Sequence, residues 1–126
     1  GFIGIPNSFA VVFKTYVAEP TTYHQVDILS TSNTGAATVL WTTRNLGMIQ
    51  IKNRRYVTIE YNWQAKTMTI IQSQLNPDFS ITNVANGTDL SFLNNRQLYF
   101  GFSAGTGGAY SRHRVLNGFH NEIAFN

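Results

Sequence analysis

Hydrophobic and polar residues alternate along most of the chain with a period of two, and no window of a dozen residues carries the i, i+3, i+4, i+7 apolar spacing of a helix. The alternation predicts strands over Ser8 to Tyr16, Tyr23 to Ser30, Ala37 to Thr42, Met48 to Lys52, Tyr56 to Asn62, Thr67 to Gln72, Leu98 to Ala104 and Asn121 to Phe125. Clusters of Gly, Asn, Pro and Thr separate them and supply the turns. Short strands at this spacing predict an all-β antiparallel sandwich in one domain spanning residues 1–126.

Two segments carry more detail. Between Tyr56 and Ile70 the sequence reads as a hairpin, with Val57, Ile59 and Tyr61 on one face, Met68 and Ile70 meeting them from the return strand, and a turn from Asn62 to Lys66. Further on, Leu98, Phe100 and Phe102 alternate with Tyr99, Gly101 and Ser103. A glycine-rich loop follows, in which Gly105, Gly107 and Gly108 let the backbone come close to a ligand.

Composition narrows the function classes. The 126 residues are 43% hydrophobic and 13% aromatic, enough to fill one core. Only 12% are charged, and Thr, Ser, Asn and Gln take their place on the surface, a balance common in secreted β-proteins. Nine Lys and Arg give a net charge of +3, yet only Arg54 and Arg55 are adjacent, so no basic stripe tracks phosphates and nucleic acid is not expected as a partner. The absence of cysteine removes disulfide frameworks and thiolate metal sites. No apolar run approaches the roughly 18 residues of a membrane span. The first residues, Gly-Phe-Ile-Gly-Ile-Pro, carry neither an initiator Met nor a basic signal-peptide region, as expected of an excised or processed piece.

Three motifs, in order, resemble one family. Gly4-Ile5-Pro6-Asn7-Ser8-Phe9-Ala10-Val11-Val12-Phe13-Lys14-Thr15-Tyr16 resembles the "G-I-x-N-S-x-A-V-E-F-D-T-Y" of L-type lectins, the legume-lectin and cargo-receptor superfamily. The hairpin resembles their "v-x-I-x-Y-n-x-x-x-k-x-L-x-V", and Gly101 to Gly108 resembles their "GFSA-x-TG" loop. The resemblance implies a concanavalin A-like sandwich of the jelly-roll type and binding of glycans or glycoproteins outside the cell. It also implies that the chain corresponds to the C-terminal part of that domain. The family's first strands have no counterpart, so the sandwich is either reduced or completed by another chain, in a homo-oligomer or with a complementing segment.

In these lectins Ca²⁺ and a transition-metal ion are held beside the sugar by carboxylates, an Asn and a His, ligands that suit the pair. Carried over residue by residue, the Glu of "V-E-F-D" falls on Val12 and the Asp on Lys14. The loop with the metal-binding Asn is cut to Val17-Ala18-Glu19-Pro20, while Glu19-Pro20 and His24 keep the Asp-Pro-to-His spacing. Asp27 comes one position earlier than "H-I-G-I-D" requires, which leaves the strand register open. No cofactor is therefore expected, and Ca²⁺ is disfavoured by Val12 and Lys14, since a cation beside an ammonium is repelled by several kcal/mol at ~4 Å. Two readings of Lys14 stand: its ammonium replaces the metal and neutralises Glu19, or it points into water with Glu19 unpaired. His24, with a single carboxylate near it, reads as a hydrogen-bonded sheet histidine rather than a ligand.

Catalysis has no constellation to rest on. Six acidic residues are spread through the chain without a pair suited to glycoside hydrolysis, and no nucleophile elbow is present. Sugar recognition asks for aromatic faces and convergent amides and hydroxyls. The resemblance assigns that role to Gly1 and Gly4 in one loop and to Gly107, Gly108, Tyr110, Ser111 and Arg112 in another. Tyr110 can equally fold onto its own strand. Trp41 and Trp63 read as packing residues or turn covers more readily than as stacking platforms for a sugar, with Trp63, in the turn, expected to be the more exposed. Two functions remain: a carbohydrate-recognition domain working without the metal pair, and a lectin-like adhesion or assembly module that has lost sugar binding and docks protein partners.

Overall fold

The computed structural model describes residues 3–14, 23–46, 55–75, 78–93 and 97–105, with the backbone alone at 23, 24, 44–46 and 79. Among the described residues six strands form: β1 (Phe9–Lys14), β2 (Tyr23–Thr31), β3 (Ala37–Leu46), β4 (Tyr56–Asn62), β5 (Thr67–Leu75) and β6 (Asp78–Asn86). They make two antiparallel sheets, β1-β2-β3 and β4-β5-β6, each a meander in chain order. Among the described residues the protein is nearly all β, with two antiparallel sheets, as the expected all-β sandwich requires.

Alternation explains which faces meet. Phe9, Val11 and Phe13 of β1 stand beside Val26 and Ile28 of β2 and Trp41 of β3, since Val11 pairs with Ile28, Phe13 with Val26 and Ile28 with Trp41. From the second sheet, Met68 and Ile70 of β5 and Ala85 of β6 join Val26 and Ile28 in one buried cluster. Leu90 and Leu93 close it, held by a single 3₁₀ turn at Ser91–Leu93. The hairpin register is the expected one: Ile59 lies opposite Ile70 and Tyr61 opposite Met68.

The turn residues follow their chemistry. Asn62 Oδ1 accepts the N–H groups of Gln64 and Ala65, each at 3.0 Å, and so folds the β4–β5 turn back on itself. Trp63 in that turn is half-buried and packs edge-on against Tyr61, with ring centroids 4.9 Å apart, and against the core, as a packing residue does. Between β2 and β3 the backbone reverses through Gly35, at φ +85°.

Four of the eight expected strands recur with shifted ends, and β4 recurs with the same ends. Met48 to Lys52 and Asn121 to Phe125 lie outside the described residues. Strand β6 was not expected: Asp, Ser and two Asn within it, preceded by Asn-Pro and followed by Gly87, look like loop chemistry. Packing against β5 overrides that composition. Leu98 to Ala104, expected as a strand, forms none. Leu98 touches the core, but Tyr99 is 88% and Phe102 63% exposed, so no buried face rewards the alternation, and Gly101 adds backbone entropy.

Candidate functional site

The richest polar constellation lies on the side of the first sheet facing away from the core. Val12 pairs with Asp27 and Lys14 with Gln25 across β1 and β2, and Asp27 pairs with Thr42 across β2 and β3. Strand parity therefore brings Val12, Lys14, Gln25, Asp27 and Thr42 to one face. Asp27 is only 2% exposed, a costly place for a carboxylate unless its oxygens are satisfied. They are. Thr42 Oγ1 donates to Oδ1 at 2.5 Å, Gln25 Nε2 donates to Oδ1 at 2.9 Å and Oδ2 at 3.1 Å, and Lys14 Nζ reaches Oδ2 at 3.0 Å. Burial pushes the Asp27 carboxyl up, but the hydrogen bonds from Thr42, Gln25 and Lys14, with the Lys14 charge, hold it below its ordinary range.

Lys14 thus pairs with Asp27, and the sequence reading missed this partner. The signal was the parity of 14, 25 and 27, but the eight residues between β1 and β2 are too many to fix a register from sequence. Glu19, the partner considered for Lys14, lies outside the described residues. Position 24 is occupied by the backbone of β2 opposite Asn45, one residue out of step with Gln25 and Asp27.

At the amino end, the loop before β1 lies on the β2–β3 turn. Gly4 N–H donates to the Gly35 carbonyl at 3.3 Å, and Asn7 N–H donates to the Ser32 carbonyl at 2.9 Å. Thr31 Oγ1 and Ser8 Oγ both donate to the Ile5 carbonyl, at 2.5 and 3.1 Å. Gly4 itself is exposed, with φ +100° and open space where a Cβ would stand. Of the residues assigned to sugar contact, Gly4 alone is described. Gly1, Gly107, Gly108, Tyr110, Ser111 and Arg112 lie outside, although Gly101 to Gly105, which lead into their loop, are exposed.

The model of the legume lectin domain matches residues 6–121, almost the whole chain. The chain belongs to the legume lectin domain family. Comparisons with curated proteins and with solved structures gave no match. Members of this family are in general non-enzymatic carbohydrate binders, typically extracellular or secreted. Among the described residues no helix is long and apolar enough to cross a membrane.

The family's metal pair does not fit the donors on the described face. Val12 offers no lone pair, and the Lys14 ammonium stands 3.0 Å from the one buried carboxylate. Among the described residues no three His, Cys, Asp or Glu side chains gather as a metal cluster. Six to eight oxygens, the usual shell of Ca²⁺, are not available there.

Proposed function

We propose that this legume lectin domain is a carbohydrate-recognition module. It binds glycans or glycoproteins outside the cell through loops at one end of the sandwich, performs no catalysis, and works without the Ca²⁺ and transition-metal pair. The observation that carries the reading is the family match over residues 6–121 together with a Lys14 ammonium where a ligand carboxylate is expected. The sugar-contacting residues are Gly1, the exposed Gly4, whose N–H bonds the β2–β3 turn, and Gly107, Gly108, Tyr110, Ser111 and Arg112. Tyr110 supplies the stacking face, and backbone amides, Ser111 and Arg112 supply the polar contacts.

The test is a glycan array probed with the full chain in EDTA and in excess Ca²⁺ and Mn²⁺. Equal binding in both buffers, weakened about tenfold by Tyr110→Ala, is the expected result. Binding abolished by EDTA overturns the metal-free part of the proposal.

A second reading, an adhesion or assembly module, is favoured by one observation. Val57 and Ile59 share the inward face of β4 with Tyr61, yet remain 43% and 45% exposed. No glycan bound by a folded chain that sediments as a defined oligomer supports that reading.

A further inference from the structure

The geometry points to Lys14 as the built-in cation of the first sheet: its ammonium ties β1 to the buried Asp27 of β2 and takes over the bracing that a bound metal gives the family's carboxylates. The inference rests on family membership and not on sugar recognition.

Three observations carry it. First, position: by the resemblance of residues 4–16 to the family pattern, Lys14 falls on an Asp and Val12 on a Glu, changes that together remove two negative charges and add one positive. Second, charge: among the described residues two ion pairs form, and only Lys14–Asp27 has a buried acid. Asp27 is 2% exposed, and a carboxylate so placed needs a compensating charge as well as hydrogen bonds. Third, geometry: Val12 sits directly opposite Asp27, so Lys14 reaches it along the diagonal, over Gln25, whose amide binds both Asp27 oxygens. Thr42 Oγ1 fixes the carboxylate from β3, so the Asp27 carboxylate, with the ammonium as its charge partner, couples three strands.

A divalent ion at Asp27 would displace this arrangement. It would have to expel or approach the ammonium, while Val12 gives it no oxygen in exchange. The bracing is therefore intrinsic to the chain, insensitive to chelators, and lost when either charge is removed alone.

The experiment is thermal unfolding of the full chain and of Lys14→Met, Asp27→Asn and Lys14→Met/Asp27→Asn, each in EDTA and in millimolar Ca²⁺ and Mn²⁺. The unsubstituted chain is expected to melt at the same temperature in both buffers. Lys14→Met should lower the midpoint by roughly 5–10 °C in the presence of Asp27 and by much less in the Asp27→Asn background. A Lys14→Met chain too unstable to fold, restored by adding Asp27→Asn, is the same result in stronger form. Three outcomes overturn the inference: a midpoint that rises with Ca²⁺ or Mn²⁺ in the unsubstituted chain, an equal cost of Lys14→Met in both backgrounds, or failure of the double variant to fold. The last two assign Lys14 a packing role alone. Because no sugar enters the measurement, failure to bind glycan leaves the inference standing.

Discussion

The Tyr61 hydroxyl donates to the Thr88 carbonyl at 2.5 Å and accepts the Leu90 N–H at 3.2 Å, so one side chain of β4 satisfies two backbone groups after β6. Thr88 and Leu90 are buried, at 2% and 1% exposure. The chain leaving β6 thereby stays pinned over the end of the core, with Thr88 N–H donating to the Lys66 carbonyl on the other side. Tyr61→Phe leaves the ring packed and both backbone groups unpaired. It should cost about 1–3 kcal/mol in urea unfolding. Tyr61→Leu, which also forfeits the edge-on contact with Trp63, should cost more; equal losses would show that the ring contact adds nothing, and an unchanged midpoint for Tyr61→Phe would show that the hydroxyl contributes nothing.

The pH dependence of stability should carry the signature of Asp27. Its folded carboxyl titrates below the ordinary value near 3.9, although burial opposes this, because Thr42, Gln25 and Lys14 favour the charged form. A lowered folded value means that the unfolded chain takes up the proton first. The stabilisation is thus fully present above about pH 5 and drains away as pH falls through the unfolded and then the folded pKa. Asp89, whose carboxylate accepts the Ser91 N–H at 3.0 Å, shifts in the same direction, so the total acid loss is shared. Midpoints recorded from pH 6 down to pH 2 should fall less steeply for Asp27→Asn than for the unsubstituted chain. Parallel curves would remove Asp27 as a contributor.

Gly35 and Gly87 separate strain from crowding. Both have positive φ, +85° and +74°, where an L side chain is disfavoured. A Cβ at Gly87 meets nothing within 4 Å, whereas one at Gly35 stands 2.8 Å from the Cα, C and O of Gly4. Gly87→Ala should therefore cost about 1–2 kcal/mol from the backbone alone. Gly35→Ala should cost clearly more and should loosen the 3–8 loop, read as faster amide exchange at Gly4 and Asn7. Equal costs would mean that the loop gives way freely.

Much of this fold was legible because it depends on local alternation. Val57, Ile59 and Tyr61 against Met68 and Ile70 needed only the parity of two adjacent strands and an Asn-led turn. The misses are those that tertiary contact decides. Strand β6 carries Asn83 inward, where loop chemistry is read in its sequence, and β5 recruits it through pairing from Thr67 to Leu75. Leu98 to Phe102 alternate well, yet no buried face forms there. At the candidate site, Lys14 was recognisable as an intruder among ligand positions, but its partner was not. A pairing register between strands eight residues apart in the chain is a long-range fact, and one residue of slip exchanges the faces.

The same limit hides the polar side chains within the second sheet, and they yield the last prediction. Gln72 lies opposite Val57 on one side and Ile81 on the other, and Gln74 follows it on the same inward face. Alternation there continues from Met68 and Ile70, so the pattern alone asks for apolar residues. Gln72 is fully buried and Gln74 is 1% exposed. Arg55 Nη1 donates to Gln72 Oε1 at 3.3 Å, but both polar atoms of the Gln74 amide lack a partner among the described residues. An amide buried without hydrogen bonds costs about 1–3 kcal/mol on mutational scales. Gln74→Met keeps the length and flexibility of the side chain and removes both orphaned atoms, so it should stabilise the domain by roughly 1–2 kcal/mol in urea. Gln72→Met should gain less or lose stability, because it strips Arg55 of its acceptor. Destabilisation by Gln74→Met would show that the amide is satisfied in solution, by bridging water or by a complementing segment. The urea midpoint of that single variant thus distinguishes an unfilled polar defect from a polar seat in use.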